Sequence, residues 1–130
     1  MTDTYTARED DQQEALFEWR DTMAGLYPEL ELLMHTANEG KRSASYGAKL
    51  KRMGLAKGFP DCTLFVPRHG YHGFVFELKR DRTCKASPRQ RQWLERLAEQ
   101  GYAVAVFYDW ADAAKAIEAY LRQKNDTSDG

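Results

Sequence analysis

The sequence predicts an α/β fold in which a small mixed sheet is flanked by helices, in the order α-β-α-β-β-α-β-α. Three observations support this fold class. Apolar residues recur at helical spacing near both ends of the chain, two central segments alternate as strands do, and residues 102–108 form a continuous apolar run of strand length. The 130 residues, of which 42% are hydrophobic and 30% charged, fit one globular domain. We assign residues 1–124 to this domain and expect residues 125–130 to be a disordered tail.

The first helix is predicted over residues 7–26, where apolar side chains return every three or four positions. Thr6 and Glu9 have the spacing of a capping box at its start, and Tyr27-Pro28 ends it. The first strand is predicted over residues 31–36.

A polar loop and a short helix follow the first strand. Gly54 ends this helix, and its basic residues lie opposite an apolar face formed by Tyr46, Leu50 and Met53.

The centre of the chain predicts an antiparallel pair of strands. Residues 62–66 and 74–76 are the strands, and the turn between them contains Pro67, Gly70 and Gly73. This pairing brings the start of the first strand, Asp61, close to the end of the second.

The last third of the sequence predicts a helix, a strand and a helix. Ser87-Pro88 supplies the N-cap and first position of the first helix, and Gln100-Gly101 ends it. The apolar run 102–108 is typical of a strand covered on both faces, and Asp109 is the predicted cap of the final helix.

The composition excludes several classes of protein. No apolar run is long enough to span a membrane, and residues 2–13 lack the features of a signal peptide, so we expect a cytoplasmic protein. Cys62 and Cys84 have no metal-site or disulfide spacing and are predicted to be free thiols. His69 and His72 lie in the turn region without the rest of a ligand set.

The formal net charge of −1 conceals an uneven distribution. Residues 41–57 contain six basic and no acidic side chains, whereas residues 79–91 contain six basic side chains and only Asp81 as an acid. Such segments favour a phosphate-facing side, because Lys and Arg supply most sequence-independent affinity for nucleic acid. The alternative for each segment is a solvated helix face. The candidate DNA-binding residues are Lys41, Arg42, Lys49, Arg52, Lys57, Arg82 and Lys85.

Two acids and an amine around the predicted strand pair suit metal-dependent cleavage of a phosphodiester. Glu77 and Lys79 are two residues apart and therefore project from one face, beside Asp61. We predict that Asp61 and Glu77 bind a hard divalent cation such as Mg2+. Lys79 would orient the attacking water or stabilise the developing charge. The alternatives are a turn acid at Asp61 and a surface lysine at Lys79.

Motifs along most of the chain resemble those of the VRR-NUC branch of the PD-(D/E)XK nuclease superfamily. They occur in the order of that family, which makes them more specific than any one of them alone. The loop of residues 38–42 resembles the family's Asn-Gly-Gly-Lys-Arg but departs from it at Glu39. The motifs are Glu9 with Gln13, Asn38-Glu39-Gly40-Lys41-Arg42, Gly58-Phe59-Pro60-Asp61, Gly70-Tyr71-His72-Gly73, Glu77-Leu78-Lys79, and Ser87-Pro88 with Gln90.

The resemblance implies further site residues. The Leu78 backbone carbonyl would be an additional metal ligand, and Glu9 is a candidate ligand and catalytic acid whose alternative role is the capping box with Thr6. Gln13 would support the site, with a plain surface glutamine as the alternative. Gln90 would be a catalytic-site glutamine that hydrogen-bonds water or phosphate, although any exposed helix would tolerate it.

The resemblance also implies the function: a restriction-endonuclease-like core that hydrolyses DNA with Mg2+ or Mn2+. Similar stand-alone proteins, often encoded by phages that act in a bacterial host cell, imply a homodimer that cleaves branched DNA such as a four-way (Holliday) junction. Two alternatives remain, a nuclease acting on linear or single-stranded DNA and a catalytically silent nucleic-acid-binding domain. A protein-interaction module is a weaker third possibility.

Overall fold

The protein is an α/β sandwich built on one four-stranded sheet. The computed structural model describes residues 4–36 and 43–122, with side chains from residue 10 onward. Within these residues, four helices and four strands occur in the predicted order, with a short 3-10 helix before the first strand. They are α1 Thr4–Met23, the 3-10 helix Pro28–Leu32, β1 Leu33–His35, α2 Ala44–Arg52, β2 Cys62–Leu64, β3 Phe74–Leu78, α3 Pro88–Glu99, β4 Ala103–Phe107 and α4 Trp110–Arg122.

The boundaries of the first two elements differ from the prediction. The α1 helix includes Thr6, so its predicted role as N-cap is wrong, and it ends at Met23, whose carbonyl accepts hydrogen bonds from Leu26 N and Tyr27 N in a closing turn. Leu26 continued the apolar pattern in sequence but is 66% exposed in that turn. The strand begins at Leu33 because Pro28 starts a 3-10 helix in the preceding residues.

The sheet has the strand order β1-β2-β3-β4. The pairs β1–β2 and β2–β3 are antiparallel, as predicted for the central pair, while β3 and β4 are parallel. The α3 helix provides the crossover that a parallel connection requires. In the β2–β3 register Cys62 lies opposite Phe76, and one further step places Asp61 opposite Glu77.

The strand buried on both faces is β3 and not β4. Every residue of β3 is buried, whereas all five residues of β4 are half-buried. Within the described residues β4 pairs only with β3, so it lies at an edge of the sheet. As predicted for residues 102–108, helices contact β4 on both faces, α3 on one and α4 on the other, but its position at the edge leaves each residue half-buried.

The core lies mainly between the sheet and the pair α1 and α4. Leu16 of α1 and Ile117 of α4 are both fully buried in one cluster with Leu64 and Phe76 from the sheet. The α2 helix contributes no buried residue: Tyr46 is 52% exposed and Met53 70% exposed, so its predicted apolar face is largely open.

No helix among the described residues has both the length and the apolar character needed to cross a membrane. The predicted tail, residues 125–130, lies outside the described residues.

Candidate active site

Asp61 is held rigidly where the central strands meet. Its Oδ2 accepts a hydrogen bond from Leu78 N at 2.8 Å, across the β2–β3 pair. Its backbone carbonyl accepts from Thr36 N at 2.7 Å and lies 3.0 Å from His35 Nδ1, on the β1 side. Pro60 before it is fully buried. These contacts fix the backbone and the carboxylate of Asp61 relative to three strands.

Glu77 lies opposite Asp61, near the end of β3, and is fully buried. Its Oε1 is 3.5 Å from Gln90 Nε2, a long contact. A buried carboxylate is costly unless charges or donors compensate it. The two acids singled out in the sequence therefore meet at one corner of the sheet.

Lys79 reaches the same corner from the end of β3. Its backbone N–H donates to Phe107 O at 2.8 Å, which anchors it to the end of β4. Its Nζ donates to Gln90 Oε1 at 2.9 Å. Because Gln90 also approaches Glu77, the amine and the buried acid share one glutamine as a neighbour.

Gln90 is buried, contrary to the expectation that an exposed helix would tolerate it. It forms a reciprocal capping box with Ser87: Gln90 N donates to Ser87 Oγ at 3.1 Å, and Ser87 N donates to Gln90 Oε1 at 2.8 Å. The side-chain amide is thus oriented by the start of α3. The spacing Ser-x-x-Gln already indicates this capping box in the sequence. From the sequence, Ser87 was predicted only as an N-cap.

Cys62, the residue after Asp61, is buried in the core and contacts Gln13 of α1. Gln13 Nε2 donates to Cys62 Sγ at 3.3 Å. Burial, with smaller contributions from the neighbouring charges of Asp61 and Glu77, raises the pKa of the Cys62 thiol to about 12, although the Gln13 hydrogen bond opposes this shift. Gln13 therefore contacts the residue next to Asp61 and is not a plain surface residue.

A second glutamine, Gln12, was missed in the sequence. Its Nε2 donates to Arg80 O at 3.1 Å, and its Oε1 accepts from Trp110 N at 2.8 Å. It therefore ties α1 to the end of β3 and to the start of α4. Nothing in its sequence context distinguished it from Gln13.

For several predicted ligands and DNA-binding residues the side chain lies outside the described part of the chain. The backbone of Glu9 lies in α1, and its side chain is outside the described part of the chain. Lys41 and Arg42 lie outside the described residues. Leu78 uses its N–H for Asp61. In residues 10–36 and 43–122 no three His, Cys, Asp or Glu side chains cluster as a metal site. The described donors at the corner are thus two carboxylates.

The remaining candidate DNA-binding residues are all exposed: Lys49, Arg52, Lys57, Arg82 and Lys85. The guanidinium of Arg82 lies 5.7 Å from the ring centroid of Tyr108. The backbone carbonyl of Lys57 accepts from Trp93 Nε1 at 3.2 Å, which fixes the loop before Asp61 to α3. Their side chains are therefore accessible to a polyanion.

Comparison with known proteins identifies the family. A model of the VRR-NUC domain matches residues 8–110. A solved structure described as a VRR_NUC domain protein is similar with a TM-score of 0.77 and 27% sequence identity, over 91% of this chain and 91% of that chain. No curated protein matches the chain. The resemblance inferred from the ordered motifs is confirmed: the chain belongs to the VRR-NUC family and has its nuclease-type fold.

Proposed function

We propose that this protein is a metal-dependent DNA endonuclease that hydrolyses phosphodiester bonds. The observation that carries the proposal is the meeting of Asp61 and Glu77 at one corner of the sheet, with Lys79 bonded to Gln90 beside them. Membership of a nuclease-type family supports the same chemistry.

The donor set at this corner fits Mg2+ or Mn2+. Carboxylate oxygens are the ligands that hard divalent cations prefer, and Mg2+ usually retains several waters and binds through one or two carboxylates plus substrate phosphate. Two carboxylates are what Asp61 and Glu77 offer. The Leu78 carbonyl and Glu9 are proposed as further ligands. When bound, the cation would supply Lewis acidity and lower the pKa of a water to make it a nucleophile.

The other functions of the site are carried out by residues of the chain. Asp61 is preorganised by the Leu78 N–H, so its free carboxylate oxygen need not be reoriented for a ligand. Lys79 carries a positive charge near the reacting phosphate and stabilises negative charge that develops there. Gln90 keeps the Lys79 ammonium in place through the 2.9 Å hydrogen bond and borders Glu77. Glu77 is fully buried, so its carboxylate lies on the inner side of the site.

The proposed substrate is branched DNA, such as a four-way junction, cleaved by a homodimer. One chain provides one such corner, and symmetric incision of a junction requires two sites related by a two-fold axis. The exposed side chains of Lys57, before Asp61, and of Arg82 and Lys85, after Lys79, would contact phosphates. Cytoplasmic action in a bacterial host is part of this proposal.

The test is cleavage of a labelled four-way junction beside linear duplex and single strand, in Mg2+, Mn2+ and EDTA. The variant is Asp61→Asn, which keeps an oxygen for the Leu78 N–H but removes the charge. The matched control is Glu95→Gln, an exposed residue of α3. We expect metal-dependent incision of the junction that Asp61→Asn abolishes and Glu95→Gln preserves.

The other outcomes separate the alternatives. If linear or single-stranded DNA is cleaved with metal at least as fast as the junction, the proposed substrate is wrong and the proposed metal-dependent hydrolysis stands. DNA binding without cleavage in either metal would identify a silent binding domain. Sedimentation of the chain alone and with a junction tests the homodimer, and a monomer in both states would contradict it.

A further inference from the structure

We propose that Arg89 is a substrate-binding residue whose guanidinium grips a backbone phosphate of the DNA strand entering the active site. The inference rests on the proposed function. It assigns a phosphate contact to a residue of α3 that packs on the loop leading to Asp61. Arg89 follows Pro88 in the first turn of α3 and immediately precedes Gln90.

The path of the Arg89 side chain is determined by Gly58. A Cβ placed on Gly58 would lie 2.8 Å from Arg89 Cγ and 3.1 Å from Cδ, so the stem of Arg89 crosses the space that any other residue would fill. Gly58 has a φ of +81°, a conformation that favours glycine independently. The stem of Arg89 is therefore packed across the loop that ends, three residues later, at Asp61.

This placement sets the stem of Arg89 between the loop before Asp61 and the first turn of α3, beside the site. On one side its stem contacts the Asp61 loop, and on the other its neighbour Gln90 contacts Lys79 and Glu77. The same loop is fastened to α3 by Trp93 Nε1, which donates to Lys57 O at 3.2 Å, and by an edge-to-face contact of Phe59 with Trp93. The loop before Asp61 and the first turn of α3 thus meet at the base of the Arg89 side chain.

The guanidinium is available for a ligand. Arg89 is exposed, and within residues 10–36 and 43–122 its guanidinium forms neither a hydrogen bond nor an ion pair. Arg80 and Arg91, by contrast, bond to Asp81 and to the Ala86 carbonyl. A packed stem with an unengaged planar head loses less side-chain entropy on binding, and a guanidinium matches phosphate oxygens bidentately.

The test measures DNA affinity as a function of salt, in EDTA and in the Asp61→Asn background, so that cleavage does not interfere. The probe is a labelled four-way junction, with linear duplex as a second probe. Arg89→Met keeps the apolar stem across Gly58 and removes the charge, and Arg89→Lys keeps both. Arg91→Met removes the same charge from the opposite side of the same helix turn, and it is the matched control.

We expect Arg89→Met to weaken binding and to reduce the steepness of the log affinity against log salt plot by about 0.9, the value for one phosphate contact. The affinity advantage of the parent over Arg89→Met then shrinks roughly 3.5-fold between about 50 and about 200 mM salt. Arg89→Lys should retain the slope, and Arg91→Met should leave affinity and slope near those of the parent.

The outcomes that overturn the inference are distinct from failure of the proposed function. Equal slopes for the parent, Arg89→Met and Arg91→Met, or equal losses in both Met variants, show that Arg89 makes no specific phosphate contact, even if the wild type cleaves DNA. Loss of the contact in Arg89→Met alone supports the inference, even if the wild type cleaves nothing in Mg2+ or Mn2+. Absence of DNA binding at all salt concentrations overturns both.

Discussion

Lys79 Nζ donates a hydrogen bond to Gln90 Oε1 at 2.9 Å, and this bond couples the last residue of the strand motif to the first turn of α3. Ser87 N donates to the same oxygen at 2.8 Å, so the acceptor that holds the amine is also part of a helix cap. The folding of the start of α3 and the position of the candidate catalytic amine are therefore not independent.

We expect Gln90→Leu to lower cleavage by about 10- to 100-fold, the range found when residues that orient a metal-site ligand are removed. The acceptor for Lys79 and the donor near Glu77 are both lost, while the buried volume is kept. Steady-state kinetics should show the loss in kcat with KM little changed, because Gln90 positions groups that act in the transition state.

The control for this prediction is Gln92→Leu, an exposed glutamine two residues further along the helix. Loss of half of the capping box should cost Gln90→Leu about 1 kcal/mol of stability, so both variants are compared well below their unfolding temperatures. Equal activity of the two variants would show that Gln90 serves only the helix.

Gly58→Ala should destabilise the protein by at least about 1–2 kcal/mol, the cost of a left-handed conformation for a residue with a Cβ. The contact of the new Cβ with Arg89 Cγ adds to this cost, because one of the two must move. Urea unfolding provides the measurement.

Two further variants separate the causes at Gly58. Gly25→Ala, where a Cβ meets nothing within 4 Å, should be almost neutral. Combining Gly58→Ala with Arg89→Ala should recover the steric part and leave the backbone part, in a double-mutant cycle. A fully additive cycle would mean that the Arg89 stem does not occupy that space in solution.

Cys62 should make the stability of the protein fall at high pH. Its folded pKa is raised from 9.0 to about 12, so between these values the unfolded chain loses the thiol proton while the folded chain keeps it. The unfolding free energy of the wild type then falls as pH rises, by up to about 1.4 kcal/mol per pH unit.

Cys62→Ala lacks this contribution, so its stability deficit relative to the wild type should shrink as the pH rises. Other titrating groups are common to both proteins and cancel in the difference. Urea unfolding of the pair at neutral pH and near pH 10 measures it. A deficit that stays constant or grows would contradict the raised pKa.

Tyr120→Phe should cost about 1–3 kcal/mol while leaving cleavage unchanged. The buried Tyr120 hydroxyl donates to Val66 O at 2.7 Å, and its removal leaves that carbonyl without this donor. Tyr46→Phe is the matched control: Tyr46 is 52% exposed, and its substitution should change stability by less than about 0.5 kcal/mol. Urea unfolding and junction cleavage are measured on both variants. Equal free energies of unfolding would contradict the prediction.

The central strand pair was predictable because its signals are local. Period-2 alternation placed residues 62–66 and 74–76 in strands, and the Pro and Gly residues between them allowed only a short antiparallel connection. That pairing is sufficient to bring Asp61 opposite Glu77. The Ser-x-x-Gln spacing carried a further local signal, the capping box, which predicts the orientation of Gln90 but not what it contacts.

The contacts that complete the corner depended on the tertiary structure. Gln13 meets Cys62 across 49 residues of sequence, and Arg89 crosses Gly58 only because α3 packs on the loop before Asp61. Helical periodicity extended α1 too far, since Leu26 fits the pattern but lies in an exposed turn.

By itself the sequence determined the order of the elements, the central strand pair and the identity of the two acids and the amine, because hydrophobic period and turn residues act over a few positions. Only the tertiary structure decided that β3 and not β4 is buried on both faces, that Gln90 holds Lys79, and that the stem of Arg89 packs across Gly58. These features arise from packing between elements distant in sequence, and burial and contact are properties of the neighbours a residue acquires on folding.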